Sequence, residues 1–187
     1  MRPCWAEVNA RTLEDNFRLL TKLASPHAEL LAIVKADAYG HGLELCAPAA
    51  VRGGACWLGV TSVEEGVRAR AVCAEARILA IAGAFPGQGE MVLAYKLTPV
   101  VWDAAHFSEL EPAARAVHAA PQSVAVHLEI DTGMSRQGVR AEDLPAALAH
   151  FVPESPLRLE GVMTHLFAAD EADGRITRKQ LARIEKV

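Results

Sequence analysis

Six short apolar runs, rich in Val, Ile and Leu, recur along the chain at residues 30–36, 56–61, 77–82, 97–102, 124–131 and 157–165, and each predicts a strand. A shorter candidate lies at 5–9. Between the runs, apolar positions shift to helical spacing. Thr12 reads as an N-cap with Asp15 at N3, opening a helix that carries Leu13, Phe17, Leu20 and Ala24 on one face. Residues 43–52 predict a helix that Pro48 kinks or breaks, ended by Gly53-Gly54. Ser62 and Glu65 form a capping box before a helix with Val63, Val67 and Ala71 on one face. Further helices are expected at 90–95, at 103–119 with a restart at Pro112, at 142–150 and at 177–187. Pro99 is awkward for the interior of a central strand.

Strand, loop and helix repeating six times implies parallel strands with helices packed outside. A doubly wound sheet and a (β/α)8 barrel both fit that alternation. The run 124–131 favours the barrel: Val124, Val126, Leu128 and Ile130 share one face, and His127, Glu129 and Asp131 the other. A polar face suits a strand pointing into a barrel near its mouth better than one covered by helices on both sides. A whole barrel takes about 250 residues and eight strands. The expectation is therefore an α/β fold of TIM-type (β/α)8 kind, present as an incomplete piece of about six βα units across residues 1–187.

Composition narrows the function classes. The 187 residues are 51% hydrophobic and 22% charged, with a formal net charge of -4, enough apolar material for a core and no basic stripe for nucleic acid. No apolar run is long enough to span a bilayer, and the first residues lack the apolar centre of a secretory leader, so a cytoplasmic protein is expected. Cys4, Cys46, Cys56 and Cys73 contain no C-x-x-C pair and read as reduced, buried small residues.

In a barrel, functional groups come from the C-terminal ends of strands and the loops after them. Lys35 closes the first strong strand, Arg136 follows the fifth, and His165 ends the sixth. A lysine at the mouth of a core either snorkels to solvent or serves as a nucleophilic amine. Arg136 is a solvated loop arginine or an anion ligand, held by a bidentate pair with Glu129. His165 is a half-buried structural histidine or a ring for stacking. An amine, a guanidinium and an imidazole around one mouth suit an anionic, carbonyl-bearing ligand such as pyridoxal phosphate. The loop 83–89 lacks the G-K-[ST] of a phosphate cradle, and His41 and His127 form no metal spacing.

Three stretches resemble one family. Val34-Lys35-Ala36-Asp37-Ala38-Tyr39-Gly40-His41-Gly42 resembles the cofactor-lysine motif of the alanine racemases. His127-Leu128-Glu129-Ile130-Asp131-Thr132-Gly133-Met134-Ser135-Arg136-Gln137-Gly138 and Gly161-Val162-Met163-Thr164-His165-Leu166-Phe167-Ala168-Ala169-Asp170 resemble its second and third signatures. The resemblance implies a pyridoxal-phosphate enzyme that interconverts L- and D-alanine for cell-wall precursors as a homodimer. Lys35 would form the Schiff base and act as one base, Tyr39 would bond the cofactor phosphate, Arg136 would contact the phenolic oxygen and the substrate carboxylate, and His165 would stack on the pyridine ring. Glu129 stands where many members carry a lysine, often carbamylated, and would supply a carboxylate directly. The family's opposing tyrosine and its C-terminal β domain have no counterpart in these residues. A different class, a non-catalytic pyridoxal-phosphate-binding single-barrel protein, has another lysine context and no equivalent of the loop 131–136.

Overall fold

The computed structural model describes residues 4–187, in which there are six strands and eight helical segments. Residues 1–3, on which the reading of a leader-free start begins, lie outside the described range. By packing, the chain forms two compact units: one runs through Ala82 and includes Tyr95–Leu97, and the other comprises Gly83–Ala94 and Thr98–Val187.

The first unit opens with coil, so the strand expected at 5–9 is absent among the described residues. Helix α1 (Ala10–Ala24) starts earlier than the Thr12 reading: the Asn9 Oδ1 accepts from the N–H groups of Arg11 and Thr12, both at 3.0 Å. Asn is as good a cap as Thr and lies three residues earlier. The half-buried face of α1 is Leu13, Glu14, Phe17, Thr21 and Ala24, while Leu20 lies off it and is exposed. Strands β1 (Leu31–Ile33), β2 (Trp57–Val60) and β3 (Arg77–Ala80) run parallel in that order, with Leu31 opposite Trp57 and Trp57 opposite Arg77.

Between β1 and β2 lie the segment α2 (Lys35–Tyr39) and the helix α3 (Leu43–Arg52), which continues through Pro48 without a break. Helix α4 (Val63–Val72) begins at the Ser62 cap, but buries Val63, Gly66 and Ala69 instead of the expected Val67 and Ala71 stripe. Gly66 allows the close approach: a Cβ there would meet Leu97 Cδ1 at 2.8 Å. Leu43, Leu58, Val60, Val63 and Ile78 form the centre of this unit's core.

The second unit contains α5 (Gly89–Ala94), β4 (Thr98–Val101), α6 (Ala104–Ala116), β5 (Val124–Glu129), α7 (Leu144–Leu148), β6 (Leu157–Met163) and α8 (Arg175–Ile184). Strands β4, β5 and β6 are parallel neighbours. Pro99 is tolerated because its pairing with β5 starts only at Val100, opposite His127. Asp103 caps α6 by accepting from the Ala105 N–H at 2.8 Å, and the helix runs unbroken past Pro112. On β5, Val124, Val126 and Leu128 are buried on one face, as the alternation predicts. Cys46 and Cys73 are buried, but Cys4 and Cys56 are exposed, and all four are free thiols. No helix among the described residues is long and apolar enough to cross a membrane.

Candidate active site

Leu31 and Ile33 of β1 line the face where Gly59 has no side chain; a Cβ on Gly59 would lie 2.8 Å from Leu31 and 2.6 Å from Ile33. The strand is shorter than the apolar run suggested. Its last ladder bond is Val34 N–H to the Gly59 carbonyl, 2.8 Å, and Lys35 begins α2. That segment is not an ordinary helix. Ala36, Asp37, Ala38 and Tyr39 all have positive φ, between 51° and 56°, and make a left-handed turn that ends at Gly40 with φ 82°. Each such residue costs about 1–2 kcal/mol when it is not glycine, so the turn exists only because its surroundings determine it.

Those surroundings are specific. Gly40 N–H bonds the Ala36 carbonyl at 3.0 Å and Gly42 N–H the Asp37 carbonyl at 2.9 Å. His41 Nδ1 meets the Ala38 carbonyl at 2.8 Å, which gives that motif histidine a structural task. Asp37 Oδ1 accepts from Leu43 N–H at 3.1 Å and from the Arg68 guanidinium at 2.9 Å, and these bonds hold its carboxyl below the usual range. Glu65 accepts from Ala36 N–H at 2.7 Å and from Thr61 N–H at 2.8 Å. The capping box reading located Glu65, but the partners of its carboxylate lie outside the box. Lys35 is half-buried, and no carboxylate among the described residues pairs with its ammonium. Tyr39, on the same turn, is 60% exposed, and its hydroxyl has no partner among the described residues.

In the second unit, Glu129 ends β5 with 2% of its surface exposed. The expected bidentate pair with Arg136 does not form. Gln137 Nε2 donates to Glu129 Oε2 at 2.5 Å instead, because the chain turns back after Arg136 and places the next side chain over the carboxylate. The loop closes through Val139 N–H to the Glu129 carbonyl at 2.7 Å and Asp131 N–H to the Val139 carbonyl at 2.9 Å. Gly138 permits this, since a Cβ there would lie 2.6 Å from the Asp131 nitrogen. Asp131 Oδ1 accepts from Gly133 and Ser135 N–H at 2.8 and 3.0 Å, which shapes the approach to Arg136.

Arg136 is exposed and lines an open cavity of about 350 Å³ with Trp102, Asp131, Ser135, Arg140 and Asp143. Burial pushes the Glu129 carboxyl up, while the Gln137 hydrogen bond and the positive charges of Arg136 and His165 pull it back. The structure thus gathers Glu129, Arg136 and His165 on one side of this unit. His165 lies two residues beyond the end of β6, with an exposed ring. Its backbone is held from α8: Gln180, 1% exposed, donates to the His165 carbonyl at 2.8 Å and to Thr132 Oγ1 at 3.0 Å. Thr132 Oγ1 in turn meets Thr164 Oγ1 at 2.7 Å. Gln137 and Gln180 went unread in the sequence; Gln137 is marked only by its place beside Arg136, and Gln180 by no signal at all.

Taken unit by unit, the chemistry fits parts of pyridoxal phosphate: in the first, an amine for its aldehyde and a phenol for its anionic oxygens; in the second, a guanidinium for anionic oxygens and an exposed imidazole for its flat ring. Among the described residues no cluster of three or more His, Cys, Asp or Glu could hold a metal ion.

Comparison with known proteins gives the family. The model of the alanine racemase N-terminal domain matches residues 8–187. An alanine racemase of Symbiobacterium thermophilum is 40% identical over 99% of this chain and 48% of its own length. One from Carboxydothermus hydrogenoformans is 36% identical over 100% of this chain and 50% of its own. The chain spans about half the length of the curated relatives it matches. Among solved structures, Clostridium difficile 630 alanine racemase in complex with cycloserine superposes with a TM-score of 0.87 at 27% identity, over 98% of this chain and 50% of that one. Alanine racemase from Bartonella henselae with covalently bound pyridoxal phosphate matches at TM-score 0.84 and 25% identity, over 96% and 51%. The fold class is α/β, six βα units of an incomplete (β/α)8 barrel, as the sequence pattern predicts. With the family model covering nearly all of its length, the chain belongs to the alanine racemase N-terminal domain family.

Proposed function

We propose that these residues are the N-terminal part of the pyridoxal-phosphate-binding barrel domain of an alanine racemase, a cytoplasmic homodimer that supplies D-alanine to the cell wall. The observation that carries the reading is Lys35: an amine at a strand end, unpaired among the described residues, beside a turn strained into left-handed conformation, inside a chain of this family. Strain of this kind clusters at functional sites. The closed loop 131–139, which presents Arg136, supports a racemase over a cofactor carrier that lacks the loop.

Bound pyridoxal phosphate supplies an electron-withdrawing ring that weakens the Cα–H bond of an attached amino acid. Lys35 would hold the cofactor through Nζ and would serve as the base for the Cα proton on one face. Tyr39 would bind the phosphate. Arg136 would contact the phenolic oxygen and receive the alanine carboxylate, and His165 would stack on the pyridine ring. Glu129, covered by Gln137, keeps a negative charge behind Arg136 when ionised. Inversion needs a second base on the opposite face, which the family takes from its β domain.

In the full-length protein, Lys35→Ala is expected to abolish the absorption band of lysine-bound cofactor and to lower racemisation by at least about a thousandfold, as loss of a proton-transferring nucleophile does. A band that persists in the variant would sink the assignment.

A further inference from the structure

We propose that Glu65 is a positioning residue for Lys35, acting through the backbone: its two carboxylate oxygens clamp the Ala36 and Thr61 N–H groups and so set the direction in which the Lys35 amine leaves the strand. The inference rests on Lys35 being the cofactor-bearing residue. Three observations support the clamp.

Ala36 N–H belongs to the peptide that joins Lys35 to Ala36. Holding it at 2.7 Å from Glu65 Oε1 fixes that peptide plane, hence the ψ angle of Lys35 itself. The other oxygen, Oε2, takes Thr61 N–H at 2.8 Å, immediately after β2. Strands β1 and β2 are paired neighbours whose last ladder bond is Val34 N–H to the Gly59 carbonyl. Glu65 therefore ties the two chains together beyond the point where the ladder stops, at the first residue of the left-handed turn.

The carboxylate is also diverted from its ordinary task. Ser62 Oγ accepts from Glu65 N–H at 3.3 Å, the first half of a capping box. In the usual second half, the glutamate reaches back to the N-cap N–H. Here it serves Thr61 and Ala36 instead. Three residues along α4, Arg68 reaches the same turn through Asp37 Oδ1 at 2.9 Å, so one face of α4 grips the turn at two points.

The two-acceptor geometry gives the test. Glutamine has the same size but a single oxygen, and its NH2 would face an N–H. Ser62→Ala weakens the start of α4 and leaves the clamp untouched. In the full-length protein, Glu65→Gln is expected to weaken pyridoxal phosphate binding by at least about tenfold and to lower kcat by about ten- to a hundredfold with little change in KM, the scale of a small misplacement. In the cofactor-free protein, hydrogen exchange at Ala36 and Thr61 should accelerate. Ser62→Ala is expected to lower Tm with cofactor affinity, kcat and exchange at those two amides unchanged.

Wild-type affinity and exchange in Glu65→Gln would overturn the proposal, as would Ser62→Ala reproducing its losses, since the role is then only that of a helix cap. Should Glu65→Gln not fold, Glu65→Asp keeps the charge but is too short to span both N–H groups, and wild-type cofactor affinity in that variant has the same force. Failure of the underlying reading is separate: it appears as a lysine-bound cofactor band that survives Lys35→Ala, whatever Glu65 does.

Discussion

The Glu129 carboxyl is 2% exposed, and among the described residues its one hydrogen-bond donor is Gln137, at 2.5 Å. Desolvation disfavours its charged form more than Gln137, Arg136 and His165 favour it, so the folded state holds the proton above the ordinary value of 4.5. The groups facing it are Arg136, His165 and Asp131, the last of which adds to the upward push. Above that ordinary value the unfolded chain has released the proton while the folded one retains it, so stability falls as pH rises through the window up to the folded value. Glu129→Gln has no proton to lose and keeps an oxygen for Gln137. Urea midpoints taken from acid toward neutral pH are expected to fall in the wild type relative to the variant, and parallel profiles would refute the raised carboxyl. At this scale the placement of Lys35, Arg136 and His165 after strands was legible, because the apolar runs before them mark where the strands lie. The Gln137 cover over Glu129 was not, because it depends on where the return loop 131–139 closes.

At the scale of elements, the turn after β1 departs furthest from its sequence. Ala-Asp-Ala-Tyr has good right-handed helix formers in it, yet all four residues adopt positive φ. Local preference loses to the ties from α3 and α4: Leu43 N–H and Arg68 on Asp37, and Glu65 on Ala36. Ala36 is exposed with φ 51° and ψ 50°, so its methyl gains nothing from packing and bears the strain. Ala36→Gly should relieve about 1–2 kcal/mol of conformational strain against about 0.4–1 kcal/mol of added unfolded-state entropy. A net gain of about 0.5–1 kcal/mol in denaturant unfolding is expected, and a loss would contradict the left-handed turn. Elsewhere the periodic signals held where the element packs by its own pattern: α3 has the bounds its spacing implies, and β5 alternates as read. They slipped where a neighbour chooses the face, as on α4, where Gly66 rather than Val67 meets Leu97.

For the molecule as a whole, the candidate residues fall in both compact units: Lys35 and Tyr39 in the first, Glu129, Arg136 and His165 in the second. With one proposed base in these residues, the 187-residue chain alone is expected to convert no L-alanine to D-alanine; turnover by the purified chain would require a second base within it. Sequence by itself determined the α/β alternation, the strand-end placement of Lys35 and the family, because period-2 and period-3.6 apolar patterns and contiguous motifs are local properties of a chain. Only tertiary structure decided which polar groups meet. Glu65 lies 29 residues from Ala36, Gln137 folds over Glu129, and Gln180 lies 48 residues from Thr132. A hydrogen bond needs two groups within about 3 Å and aligned, and no one-dimensional pattern specifies that until helices and strands have packed.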